Sequence, residues 1–220
     1  MIDRISRKDI LKVTSIEAGD ITEHDRDEMA IPTYMHWNPL IRWLMWKRYD
    51  CLADLIDEKS AAALEFGCGI GLFLPELKKN YNNVFAVDLY PQYAKRLLKT
   101  LNVDVNFVDS TDELEENSLD LIVAADVLEH IEELEQYLDK FHAKLKPGAQ
   151  FLVSGPTENI LYKIGRIIAG FAGKGDYHHT DIYQLIEAIE QYGFRKERVI
   201  DLPFPGLPPL FRITEFRNPD

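Results

Sequence analysis

Three observations in this 220-residue chain predict a doubly wound α/β fold, a parallel sheet with helices on both faces. Short apolar runs recur at Ala61–Phe66, Val84–Val87, Val103–Val108, Leu119–Ala125 and Gln150–Ser154, each sized for a buried strand. Stretches with apolar residues at helical spacing lie between them. A glycine-rich segment falls directly after the first run and opens a helix, where such a fold places its ligand loop.

The elements follow in order. Residues 1–36 are polar, include the charged stretch Glu23-His-Asp-Arg-Asp-Glu28, and read as an N-terminal arm or lid; residues 37–220 read as one domain. Asn38-Pro39 is an N-cap followed by proline at the first helical position. Leu40, Ile41, Leu44, Cys51, Leu52 and Leu55 then predict a leading helix over 38–58. A cofactor-binding core is expected over 60–155, in which Ile131, Leu134, Leu138, Phe141 and Leu145 mark a helix that stops at the turn signal Lys146-Pro147-Gly148. Residues 156–178 form an insertion on the cleft side, with Ile160, Leu161, Ile164, Ile167, Ile168 and Phe171 at helical spacing. The segment 179–220 carries a helix through Ile182, Leu185, Ile186 and Ile189, then two strands, Arg195–Asp201 and Phe211–Arg217, joined as a wide hairpin around Pro203–Pro209.

Composition excludes several function classes. Lys and Arg number 25 against 37 Asp and Glu, a formal net charge of −12 that repels phosphate backbones and anionic membranes. No nucleic-acid partner and no membrane insertion is therefore expected. Two cysteines, Cys51 and Cys68, cannot build a disulfide framework or a zinc site by themselves, and no metal is expected. The N-terminus lacks the apolar stretch of a signal peptide, so the expected compartment is the cytoplasm. The expected assembly is a monomer or a homodimer.

The informative motif is Leu64-Glu65-Phe66-Gly67-Cys68-Gly69-Ile70-Gly71-Leu72. Its G-x-G-x-G spacing differs from the G-x-G-x-x-G of dinucleotide binding. Asp88 ends the next strand, 17 residues beyond Gly71, where a carboxylate meets ribose hydroxyls in nucleotide folds of this kind. Asp109 ends the third strand and Glu65 the first. Such an acidic rim suits a ligand with hydroxyls, an adenine amine and positive charge, and suits a pyrophosphate badly. The plainer readings are a bare strand-to-helix turn for the glycines and helix N-caps for Asp88 and Asp109. Cys68 is explained as a small space-filling residue.

The ordered set Glu65–Gly71, Asp88, Asp109, Ser118-Leu-Asp-Leu-Ile-Val-Ala-Ala-Asp-Val-Leu-Glu-His-Ile131 and Leu145-Lys-Pro-Gly148 resembles the class I S-adenosylmethionine-dependent methyltransferases, in their small-molecule, type 11-like branch. The resemblance covers about residues 60–155. It implies a Rossmann-like, seven-stranded sheet, mostly parallel, with the last strand antiparallel. It further implies S-adenosylmethionine as cofactor, S-adenosylhomocysteine as product and methyl transfer to a small, partly apolar acceptor. Gly67, Cys68, Gly69 and Gly71 would then line the methionine moiety, with Glu65 shaping that loop. Asp88 would hold the ribose hydroxyls and Leu89 would pack on the adenine. Asp109 would accept from the adenine amine, Ser110 would supply a backbone contact, and Ala125 would offer its carbonyl to the cofactor's amino group.

No general base is written in the chain; His130, His178 and His179 are the candidates. Tyr34 and Trp37 of the arm, with Ile164 and Ile168 of the insertion, are candidates for the substrate side, with core packing as the alternative. Competing functions are methyl transfer to a protein or RNA, a non-catalytic scaffold on the same fold, and a nicotinamide-dependent oxidoreductase. The last would need the longer glycine spacing and a hydride-site residue set.

Overall fold

The computed structural model describes residues 1–15, 22, 29, 31–57, 60–168, 180–204 and 206–219. Two short helices, α1 (Arg7–Thr14) and α2 (Ile31–Met35), precede the long α3 (Pro39–Leu55). Asn38 caps α3 as its sequence requires, its side chain accepting the Leu40 N–H, with proline in the first turn. Strands and helices then alternate: β1 (Ser60–Phe66), α4 (Leu74–Asn80), β2 (Tyr81–Val87), α5 (Gln92–Leu101), β3 (Asn106–Phe107), β4 (Leu119–Ala125), α6 (Leu134–Lys144) and β5 (Leu145–Pro156). The chain closes with α7 (Ile160–Ile168), α8 (Ile182–Tyr192), β6 (Arg195–Leu202) and β7 (Phe211–Arg217).

The sheet has seven strands in the order β3-β2-β1-β4-β5-β7-β6. β1, β2, β3, β4 and β5 pair in parallel, while β7 lies antiparallel to both β5 and β6. Both faces of the sheet are covered, one by α1 to α5 and the other by α6 and α8. The chain runs outward from β1 through β2 to β3 and returns to β4 on the other side of β1. That reversal opens a crevice at the carboxyl ends of β1 and β4, the usual ligand position in such sheets.

Four details depart from the expectations. β3 is confined to Asn106–Phe107 because it pairs at the sheet edge with Phe85 and Ala86 alone, after α5 ends in a left-handed Asn102. The Lys146-Pro147-Gly148 signal does end a helix, but β5 already begins at Leu145, with a register shift between Leu119 and Leu121 that absorbs the turn-like Gly148. The first fifteen residues are not loose: Ile2, Ile10 and Val13 are buried, and the Ile2 N–H donates to Asp50 Oδ1 at 2.9 Å. Ile160, Leu161, Ile164 and Ile167 of α7 face outward, since the helix docks through Tyr162, whose ring meets Phe211 edge-on at 5.7 Å.

The far end of the sheet is braced by a buried charge network. Glu215 is fully buried and accepts from Gln150 Nε2 and Arg217 Nη2, each at 2.8 Å, and from Arg198 Nε. Gln150 also donates to the Leu55 carbonyl and accepts the Asp57 N–H. Every charge is partnered, which is the condition under which such a cluster is tolerated. The network ties the end of α3 to the terminal hairpin. Among the described residues no helix is long and apolar enough to cross a membrane.

Candidate functional site

A cleft of about 350 Å³ lies at the switch point, within the range of small-molecule and cofactor sites. Its walls come from the loops after four successive parallel strands. The Gly67, Cys68, Gly69 and Ile70 backbone follows β1, Asp88 and Leu89 follow β2, Asp109 and Ser110 follow β3, and Ala125 ends β4.

The glycine loop is bent as its composition anticipates. Gly67, Gly69 and Gly71 have φ of 72°, 53° and 77°, and the Gly67 and Cys68 N–H groups both donate to the Val87 carbonyl, at 2.8 and 3.3 Å. The three glycines have two spatial reasons. A Cβ on Gly67 would stand 2.3 Å from Val127 Cγ2, and one on Gly71 3.0 Å from Ala94 Cβ, whereas one on Gly69 meets nothing within 4 Å. Gly67 and Gly71 therefore serve close packing. Gly69 presents open backbone to the cleft, as a cradle for a ligand does.

Asp88 bridges this loop to its own turn: Oδ2 accepts the Gly69 N–H at 2.7 Å and Oδ1 the Tyr90 N–H at 2.8 Å. Burial raises its carboxyl above the usual range, against the lowering effect of those two hydrogen bonds. A carboxylate has about four lone-pair sites, so acceptor capacity remains for a ligand. Leu89 is 89% exposed beside it, an apolar face open to the cleft. Asp109 is exposed; its N–H and that of Ser110 donate to Glu113 Oε1, at 2.7 and 3.1 Å.

The remaining expected residues divide clearly. Glu65 is buried behind the loop, outside the cleft lining, with Oε2 lacking a hydrogen-bond partner; burial and then the nearby Asp88 charge push its carboxyl well up. Cys68 lines the cleft, but burial, with Asp88 and Glu65, pushes its thiol well up, so it is no thiolate nucleophile. Tyr34 and His130 line the cleft. Gly71 does not, because it faces Ala94 of α5. Trp37 is 80% exposed and Ile164 is exposed, and neither reaches the cleft, since α2 ends at Met35 and α7 turns this side outward. Ile168 ends α7, and His178 and His179 lie outside the described residues.

The structure adds residues that sequence reasoning missed. Arg48 of α3 and Asp126, directly after β4, form an ion pair in the cleft wall, and Arg48 Nη2 donates to the Tyr34 hydroxyl at 3.1 Å. Glu129 is buried beside them, its carboxyl pushed up to about 7 by burial. The available signal was weak: Arg48 is one of three cations on α3, beside Arg42 and Lys47, and its spacing does not set it apart. Among the described residues no three His, Cys, Asp or Glu side chains are grouped to hold a metal ion.

The comparisons agree with this geometry. A family model described as a methyltransferase domain matches residues 44–202. The ubiquinone biosynthesis O-methyltransferase of Rickettsia conorii is 26% identical over 149 residues, covering 63% of this chain and 52% of that protein. The protein of the same name from Xanthomonas oryzae pv. oryzae is 27% identical over 153 residues, 64% of either chain. The chain thus spans about half to two thirds of the length of these curated relatives. Among solved structures, a SAM dependent methyltransferase from Aquifex aeolicus superposes with a TM-score of 0.62 at 19% identity, over 77% of this chain and 88% of that one. The N-methyltransferase NodS from Bradyrhizobium japonicum, in complex with S-adenosyl-L-homocysteine, gives 0.64 at 18% identity over 90% and 100%. With a methyltransferase family model over most of its length, the chain belongs to the class I S-adenosylmethionine-dependent methyltransferases.

Proposed function

We propose that this chain transfers the methyl group of S-adenosylmethionine to a small, partly apolar molecule, in the cytoplasm. The observation that carries the reading is the Asp88 bridge to the Gly69 N–H, with Asp109 on the adjacent strand end and open space over Gly69. In this reading Asp88 accepts the ribose hydroxyls, Leu89 packs on the adenine, and Asp109 accepts the adenine amine with a backbone contact at Ser110. Gly67 and Gly69 let the backbone approach the methionine moiety, and the Ala125 carbonyl receives its amino group. The cofactor supplies a sulfonium-bound methyl group already activated for in-line displacement. The protein's work is then alignment and exclusion of water. Aromatic and aliphatic groups in the cleft, among them Tyr49, Phe66 and Ile131, suit an acceptor with an apolar part. That the relatives are named O-methyltransferases of a small-molecule pathway supports the same class.

Calorimetric titration of the full chain with S-adenosylmethionine, and in parallel with NAD and NADP, tests the reading. Binding of the sulfonium compound alone is the expected result. Absence of that binding leaves a scaffold on this fold and overturns the proposal.

A further inference from the structure

The end of the cleft assigned to adenine has a carboxylate standing behind it. Asp109, Ser110 and Thr111 line the cleft there, and Thr111–Glu113 form one turn of 3-10 helix. Ser110 is the N-cap of that turn. Its hydroxyl oxygen accepts the Asp112 N–H at 3.1 Å, and the Glu113 carboxylate reaches back to the N–H of the capping residue. The reach goes one residue further than a capping box needs: Glu113 Oε1 accepts the Asp109 N–H at 2.7 Å as well as the Ser110 N–H at 3.1 Å. The turn is tied down on a second side. Asp112 Oδ2 accepts from Ser110 Oγ at 2.9 Å and from Lys140 Nζ of α6 at 2.8 Å. An N–H points in one direction, and these two converge on an oxygen of Glu113, a residue outside the cleft lining. A ring nitrogen seeking either N–H would have to displace a carboxylate held by two charge-assisted bonds, each roughly twice as strong as one to a neutral acceptor. Acceptors are what this turn keeps: the Asp109 carboxylate, and the Ser110 carbonyl, which takes the Glu113 N–H at 3.2 Å and has a second lone pair.

We infer that Glu113 is a specificity-determining residue of the cofactor site: by occupying the Asp109 and Ser110 N–H groups it makes the site read adenine through the exocyclic amine alone, leaving ring nitrogen N1 unread. The inference rests on the methyl-transfer reading above and deepens it, since the backbone contact at Ser110 is then made by the carbonyl. The amine carries two hydrogens, and the two acceptors at this turn match them. A base with an oxo group in place of the amine presents lone pairs to those same acceptors and is repelled. A base that keeps the amine and lacks N1 loses nothing, because no N–H faces that position. Glu113 acts here through the backbone it holds, without touching the ligand.

Three ligands titrated calorimetrically onto the full chain test this: S-adenosylhomocysteine, its 1-deaza analogue, in which C–H replaces ring N1, and S-inosylhomocysteine, in which oxo replaces the amine. The 1-deaza analogue is expected to bind wild type within about threefold of the parent. The inosyl compound is expected to bind about tenfold or more weakly, the scale of a hydrogen bond to a charged group left unmade. Glu113→Ala frees the Ser110 N–H, so the parent should then bind at least about threefold more tightly than the 1-deaza analogue, the scale of one neutral hydrogen bond. Glu113→Gln, whose amide oxygen can take the same N–H, should keep the wild-type pattern. A merely structural role for Glu113 would weaken all three ligands alike and leave their ratios unmoved. A loss above threefold for the 1-deaza analogue in wild type shows that another donor reads N1, and overturns the inference. So does an inosyl compound bound within threefold of the parent, or an unchanged 1-deaza ratio in a folded Glu113→Ala variant. Should that variant fail to fold, the two wild-type ratios decide alone. Failure of the wild type to bind S-adenosylhomocysteine at all is the separate signature that the methyl-transfer reading itself has failed.

Discussion

The carboxylate of Asp88 accepts the backbone N–H of Gly69 at 2.7 Å, so the end of β2 clamps the loop that follows β1. One side chain therefore sets the loop's shape and keeps acceptor capacity for a ligand. Asp88→Ala should weaken S-adenosylmethionine binding by about 1–3 kcal/mol, the usual loss for hydrogen bonds to a charged group. Asp88→Asn, which retains one acceptor oxygen for Gly69, should lose less. Calorimetry on both variants decides, and unchanged affinity in the alanine variant would remove the ribose assignment.

Two glycines of the loop should respond to alanine in different observables. At Gly67 the new Cβ overlaps Val127 and φ is 72°, so misfit and backbone strain should together cost about 2–4 kcal/mol of stability. At Gly69 nothing stands within 4 Å, so only the backbone term of about 1–2 kcal/mol applies. The methyl of Gly69→Ala instead occupies the space assigned to the cofactor, and binding should fall by more than stability does. Denaturant unfolding beside a binding titration separates the two.

The buried Glu129 makes stability depend on pH. Its carboxyl titrates near 4.5 when unfolded and at about 7 in the fold, so the folded state holds the proton longer. Stability is then greatest on this account below the unfolded value, falls as pH rises through that window, and levels off above it. Glu129→Gln should be more stable than the wild type by up to about 3 kcal/mol at about pH 8. The difference should vanish at about pH 4, and chemical denaturation at the two pH values checks it.

Tyr34 and Trp37 sit three residues apart with opposite fates. Tyr34 is 2% exposed and accepts from the buried Arg48, so Tyr34→Phe leaves a charged donor short and should cost about 1–3 kcal/mol. Trp37 points to solvent, and Trp37→Ala should change stability by no more than about 0.5 kcal/mol. Thermal melts of both variants are sufficient.

Local chemistry made much of this molecule legible. Strands β1, β2, β4 and β5, the capped start of α3, the helix through Ile182 and Ile189, and the glycine loop all follow from short-range rules, namely periodicity, capping and positive φ. The places of Asp88 and Asp109 on the cleft follow from strand ends in a parallel sheet. The pairing of Arg48 with Asp126 does not, because those residues are far apart in the chain and meet only when α3 packs beside the end of β4. Neither does the exposure of Trp37 and Ile164, or the retreat of Glu65 behind its own loop. An apolar stripe specifies that a face needs cover, and the docking of Tyr162 on Phe211 decides which face of α7 receives it. Periodicity and turn chemistry act over a few residues and are written in order along the chain. Which buried charge meets which is settled by the three-dimensional packing that brings distant segments together.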